Sequence, residues 1–301
     1  MRSLTFKLFA AFILLAGMVN LTEAQPTPDI SVDLVAYLYE RLPKNAGEGQ
    51  RVSTPTEAFA KFCSIESDPV ARRVFTEYGA MYAAAETVTP PDRCIFAKEA
   101  EVQEFQKGLK TKIAPIGLQA IELQEAAMDS LLAAQKEANA AGLQIIPLDG
   151  AIAGRRSYHD TVRLWNSRFV RALKYWVARG SIPKDIAETV VVADTRTQIE
   201  RVVEWESRGF YFSTDMTRTI FSSTAPPGSS QHLAMLAFDL EGYGDARVRQ
   251  ILNSHGWFQT IVNDAPHFTY LGLKRDELTS RGLRPVRRGG FEFWVPRLNT
   301  R

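Results

Sequence analysis

Apolar residues recur at helical spacing through the first half of this chain and at strand-like spacing through much of the second. Residues 28–42, PDISVDLVAYLYERL, place Val32, Leu34, Val35, Leu38 and Leu42 on one helical face behind an Asp/Ser start. TPTEAFAKFC (54–63) opens on a cap-like Thr54 and Pro55, and DPVARRVFTEYGAMYAAA (68–85) is rich in helix formers. TPPDRC breaks the run at 89–94, AKEAEVQEFQKGL (97–109) resumes it, and residues 116–142 read as the longest helix. That helix carries a stripe of Leu118, Ile121, Met128 and Leu132 and ends on Gly142.

Near residue 143 the pattern changes. LQIIPL is β-like and DGAIAG loop-like. Residues 157–180 form a helix with Val162, Trp165, Phe169, Leu173 and Trp176 on one face, and a further helix follows at 194–209. Short strands are then expected in RTIFSS, LAMLAFDL, GWFQTIV, HFTYLG and GFEFWVP, interrupted by a helix in DARVRQILNSHG. Helices first and strands later predict an α+β fold with an antiparallel sheet. The boundary falls at 142–150: a helical N-terminal region, residues 25–142, is either a separate unit or a cap packed on a second unit, residues 143–301. No internal repeat is evident.

Composition narrows the class. With 45% hydrophobic and 23% charged residues the chain is of ordinary globular type. A net charge of +2 gives no electrostatic case for nucleic acid. The C-terminal arginines (Arg281, Arg284, Arg287, Arg288, Arg297, Arg301) read as a solvated face, or as a weak attraction for an anionic polymer. At the N-terminus, Arg2 and Lys7 precede LFAAFILLAGMV and a small-residue site ending at Ala24. This is the pattern of a signal peptide, residues 1–24, cleaved after Ala24; the alternative is an uncleaved membrane anchor, for which the apolar run is short. It predicts a periplasmic or secreted protein with no stable membrane insertion after cleavage. The two cysteines, Cys63 and Cys94, are then expected to pair as a disulfide in an oxidising compartment.

The candidate chemistry sits among the four histidines. His232 and Asp239 stand in the apolar run SSQHLAMLAFDL, and Asp264 and His267 in NDAPHFTYLG. Buried charges need a partner or a metal. Two imidazoles and a carboxylate (His232, His267, Asp239) are a common ligand set for catalytic zinc and leave one position open. Asp264 is placed to exchange protons beside them, with Pro266 holding that segment extended. Taken singly, each histidine reads first as a satisfied structural residue, and only the joint pattern points to a metal. His255, at the end of a short helix, and His159, at a helix start, are read that way. An odd interval of seven puts His232 and Asp239 on opposite faces of a straight strand, so the chain must turn between them to bring both to one ion.

In combination these residues resemble the zinc D-alanyl-D-alanine carboxypeptidase and L-alanyl-D-glutamate peptidase family, whose core fold is hedgehog-like. The family pattern Ser-x-His-x-x-Gly-x-Ala-x-Asp is met at Ser230, His232, Ala237 and Asp239, with Met235 where the pattern has glycine. DAPHF meets the second pattern at Asp264, Pro266, His267 and Phe268, and Arg156 in GRRSY matches an upstream arginine. The resemblance covers residues 145–272. It implies zinc held by His232, Asp239 and His267, Asp264 as general base and acid, and Arg156 binding substrate and steadying an oxyanion. Adjacent Arg155 is a lesser candidate, Ser230 a hydrogen-bonding or turn residue, and Pro226–Gly228 shapes the entering loop. The implied partner is the peptidoglycan stem peptide, cleaved as a D,D-carboxypeptidase. The alternatives are an L-alanyl-D-glutamate-type endopeptidase or a non-catalytic wall-binding module of the same fold.

Overall fold

The computed structural model describes residues 33–41 and 62–298. The segment 1–24 expected to be a signal peptide, most of the helix expected at 54–63, and Arg301 lie outside the described residues. Among those described, no helix is long and apolar enough to cross a membrane.

The architecture is α+β, helices with small antiparallel sheets. Helices α1 (Leu34–Arg41), α2 (Pro69–Tyr78) and α3 (Glu99–Lys107) come first. Asp68 caps α2 by accepting from the amides of Val70 and Ala71. A departure from the sequence reading follows. The first third of the expected long helix instead belongs to a hairpin, β1 (Thr111–Ile116) and β2 (Gln119–Gln124), and only Glu125–Ala140 is helical (α4). Gly117, at φ 59°, makes the tight turn, and Leu118 is fully exposed at the tip rather than part of an apolar stripe. Ala114, Ile116, Ile121 and Leu123 are the buried positions, at the period of two that a half-buried hairpin requires.

The main sheet has four strands in the order β3 (Ile146–Pro147), β4 (Ala237–Glu241), β6 (His267–Tyr270) and β5 (Trp257–Phe258), antiparallel throughout. Between β3 and β4 lie α5 (Tyr158–Ala178), α6 (Lys184–Val191) and α7 (Thr195–Ser207). After β4 comes α8 (Ala246–Ser254), and β7 (Leu283–Arg288) with β8 (Phe291–Pro296) closes the described chain as a separate hairpin. The strand expected in RTIFSS is a 3₁₀ turn at Ile220–Ser222. The buried carboxylate of Glu206 explains it, since it accepts from the amides of Phe212 and Ile220 and from the Thr219 hydroxyl, so donors a sheet would need are already used.

Two cores result. The larger one joins Phe75, Tyr82, Ile121 and Met128 to Phe238, Trp257 and Phe268, so residues from both sides of 142–150 share one interior. The second lies among α2, α5, α6 and α7 and is rich in aromatics: Trp165, Phe169, Trp205, Phe212 and Phe221. Cys63 and Cys94 form a disulfide with Cα atoms 5.4 Å apart. Its loop, with a sequence separation of 31, implies about 3–4 kcal/mol of stabilisation by chain entropy. Cys94→Ser is expected to cost about that much, read as a lower denaturant midpoint in equilibrium unfolding, with a larger m-value because the unlinked denatured chain exposes more surface.

Candidate metal centre and active-site cavity

Strand register sets the first two groups. Asp239 on β4 stands directly opposite His267 on β6, so their side chains leave the sheet on one face as a cross-strand pair. His232 reaches them from a 3₁₀ turn, Gln231–Ala234, capped by the Ser230 hydroxyl accepting from the His232 amide. Met235 ends the turn in the left-handed region at φ 52°, and the strand begins at Ala237. The chain therefore turns between His232 and Asp239. Met235, at the position of the motif glycine, has the positive φ that glycine adopts most easily.

Three donor atoms converge. His232 Nε2 lies 3.2 Å from His267 Nδ1 and 3.3 Å from Asp239 Oδ1, and His267 Nδ1 lies 3.1 Å from the same oxygen. A tetrahedral ion with ligand bonds of about 2.0–2.1 Å would separate its ligands by about 3.3–3.4 Å. The triangle fits one face of such a site, and these three residues form a cluster that could hold a metal.

The protons are placed to suit. His232 Nδ1 lies 2.8 Å from the carbonyl of Gly154, which can only accept, so Nδ1 carries the hydrogen and Nε2 presents its lone pair. His267 Nε2 lies 2.8 Å from Gln231 Oε1, which fixes the opposite tautomer and frees Nδ1. Gln231 is itself oriented: its Nε2 donates to the Tyr78 carbonyl at 2.9 Å, and its oxygen also accepts from Thr269 Oγ1 at 2.5 Å. Burial first, and then the nearby Arg156 cation, push the His232 pKa down to about 4, so this imidazole is neutral at pH 7. Burial alone would raise the Asp239 pKa. The two histidines and Arg156 outweigh it and hold the carboxylate well below its ordinary range.

Arg156 donates from Nη2 to Asp239 Oδ2 at 2.5 Å and from Nε to the Ile152 carbonyl at 3.0 Å. It is thus an orienting partner of the carboxylate, a contact the sequence did not foretell. Asp264 lies outside the three-atom cluster but lines the same cavity of about 220 Å³, together with Tyr78, Leu164, Arg168 and Ile261. Burial and the neighbouring Asp239 charge raise its pKa to about 6, against the pull of His267, Arg156 and Arg168. Arg155 points elsewhere, pairing with Glu122 at 2.7 Å. His255 pairs with Glu137 at 2.8 Å, and His159 is exposed, 3.9 Å from Glu99.

The N-terminal region supports this site. Gln106 of α3 donates to the carbonyls of Arg156 and Leu233, and the Gln124 side chain at the end of β2 donates to that of Ala234. Gly154 is pressed onto β2: a Cβ there would meet Ile121 Cγ2 at 2.7 Å and the Glu122 carbonyl at 2.9 Å. Gly228 is likewise fixed in the entering loop, where a Cβ would lie 1.9 Å from the Phe96 carbonyl oxygen. Gln231, Gln106 and Gln124 escaped the sequence reading. The signal for Gln231 was available, since a glutamine beside a histidine in an apolar run needs partners for the same reason.

No known family's sequence pattern matches the chain, and no curated protein does. Among solved structures it is similar to a mutant of the vancomycin-resistance D,D-pentapeptidase VanY, from a VanB-type resistance cassette, in complex with Zn(II). Identity is 14%, the match covers 62% of this chain and 86% of that one, and the TM-score is 0.33. At that level the likeness carries no argument, and the site is read from its own geometry.

If Gln231 sets the His267 tautomer, Gln231→Leu should weaken metal binding by about 10–100-fold, as loss of an outer hydrogen-bond partner does. Gln231→Glu, which keeps the acceptor, should retain most of the affinity. Competition against a chromogenic chelator reads both, and equal affinity for wild type and Gln231→Leu would remove the role.

Proposed function

We propose that this protein is an exported zinc peptidase acting on peptidoglycan stem peptides, in the manner of a D,D-carboxypeptidase. One observation carries the reading: three deprotonated ligand atoms converge beside a carboxylate whose pKa is raised to about 6, all facing one cavity. A structural zinc site closes its fourth position with protein, whereas here three protein ligands open onto a cavity. The resemblance of the two motifs to the peptidase patterns supports the substrate class. The disulfide and the signal-like N-terminus support a periplasmic or secreted location.

The residues divide the work as follows. His232, His267 and Asp239 would hold zinc, which when bound acidifies water and polarises a carbonyl. Asp264, ionised above about pH 6, takes the proton of the attacking water and delivers it to the leaving amine. Arg156 holds Asp239 in place through Nη2 and the Ile152 carbonyl occupies its Nε, so the N–H groups left over would stabilise oxygen charge developing on the substrate. The buried walls, Leu164 and Ile261 among them, limit water and strengthen these interactions.

A second reading, an endopeptidase of the L-alanyl-D-glutamate type, has its own support. Arg156 also lines a neighbouring groove of about 430 Å³ with Ile113, Ala120 and Ile152, space in which peptide could continue past the scissile bond.

Digestion of defined muropeptides by the zinc-loaded protein tests both. Release of D-alanine supports the first reading, an internal cut supports the second, and no product overturns both. Asp264→Asn should lower kcat by at least about 10²-fold while leaving zinc stoichiometry intact. Because the base must be ionised, kcat/KM should fall tenfold per pH unit below about pH 6. An unchanged rate in Asp264→Asn would remove Asp264 as the base.

A further inference from the structure

The C-terminal hairpin carries charge that the fold does not neutralise. Residues 283–296 hold Arg284, Arg287 and Arg288 against one acid, Glu292. That acid is already engaged. Arg275 grips it through Nε at 3.0 Å and Nη2 at 2.8 Å, and Arg287 Nε stands 3.5 Å away. Among the described residues, Arg284 and Arg288 form no ion pair, and both are exposed. Arg281 does not belong to this set, because it pairs with Glu86 at 3.0 Å.

Their placement turns these charges into a surface. Arg284 and Arg288 are an even interval apart on β7, so they leave the same face of the strand, about 13 Å apart at about 3.3 Å per residue. Phe291, directly across from Arg288, shares that face. Arg249 of α8 lies over the Phe291 ring at 4.9 Å, and Tyr243 meets the same ring at 6.0 Å. Arg249 is held by donating from Nη1 to the Tyr243 carbonyl at 2.7 Å, a contact that leaves its charge uncompensated. Between α8 and the hairpin tip runs a groove of about 490 Å³, lined by Arg249, Arg287, Arg288, Phe291 and Glu292. Gly289 and Gly290 form its rim, with no side chain to obstruct it. The groove shares no residue with the cavity of the candidate metal centre.

Guanidiniums spread along a groove match acidic groups repeated along a chain, and no single small anion spans Arg284 to Arg288. The partly buried rings of Phe291 and Tyr243 add apolar faces against which sugar rings can pack. A lipid surface fits less well. Among the described residues the exposed large apolar side chains are Ile113, Leu118, Ile146, Ile186, Val192 and Tyr211, and none of them stands on the hairpin to enter a bilayer.

We propose that the groove between α8 and the β7–β8 hairpin binds an acidic polysaccharide, so that the protein is held on a charged matrix while its metal centre faces a separate cavity. The proposal stands apart from the peptidase reading, since it uses none of the same residues.

Binding of the full-length protein to immobilised polygalacturonate at low salt tests it, with neutral dextran as the blank. Two double variants are compared with wild type. Arg284→Ser/Arg288→Ser strips the hairpin, whereas Arg171→Gln/Lys174→Gln removes the same charge from exposed positions of α5, which lines no part of the groove. Affinity should fall at least about tenfold in the first and stay within about twofold in the second. Wild-type binding no tighter than to dextran, or equal losses in both variants, overturns the surface. Tighter binding of phosphatidylglycerol vesicles or duplex DNA, lost in the hairpin variant, overturns the polysaccharide as its occupant. Should the hairpin variant fail to fold, hydrogen exchange of wild type still decides. Polygalacturonate should slow amide exchange in 284–292 and in α8, and unchanged exchange there overturns the proposal.

Discussion

Three electron-rich atoms lie within 3.3 Å of one another in the interior of this protein, and the rest of the site follows from keeping them there. Two imidazole lone pairs and a carboxylate oxygen repel unless a cation lies between them. The arrangement is maintained by assigning each proton to the far side of its ring. Gly154 takes one N–H and Gln231 the other, while Arg156 neutralises the carboxylate from its second oxygen. Each of these partners is anchored in turn: Gly154 by the hairpin behind it, Gln231 by Tyr78, and Arg156 by the Ile152 carbonyl. The candidate metal centre is a small patch of polar chemistry whose outer contacts extend into α2, α3 and the β1–β2 hairpin.

That dependence explains where the cavity lies. The sheet core and the aromatic helical core meet along it: β4 and β6 supply Asp239 and His267, whereas α5 and α2 supply Leu164, Arg168 and Tyr78. A cleft between two packed layers can be dry enough to shift Asp264 upward and still be open to a small ligand. Its floor is fixed by sheet hydrogen bonds and its wall by a helix, so the chemistry is placed on rigid elements.

The sequence carried the essentials of the centre because its signals were local. FDL and HFT show strand periodicity, and a charge in an apolar run demands a partner within reach. Even the turn before Asp239 could be required from parity alone. The hairpin at 111–124 was hidden because Ile121 and Met128 fit a helix as well as a strand, and Leu118 looked like part of their stripe until tertiary packing left it in solvent. LRPVRR is too polar to read as a strand, and only its pairing with FEFWVP makes it one. The burial of the Arg168 Nε depends on tertiary packing around α5, which no periodicity within the helix reports.

Met235 shows how a departure from a motif can leave its geometry intact. A left-handed residue with a side chain costs about 1–2 kcal/mol relative to glycine. Here the side chain is buried beneath the turn, and burying a methionine returns about 1.5–3 kcal/mol. The two terms are of the same size, so methionine can hold the turn through packing where glycine would hold it through conformational freedom. The difference lies in what each couples to. A glycine turn is set locally, whereas this one is tied to the core behind it. Its carbonyl also accepts from the Gln124 amide at the end of β2. The reach of His232 toward its two partners therefore depends on the same hairpin that pins Gly154, and one element of the N-terminal half positions the backbone on both sides of the imidazole.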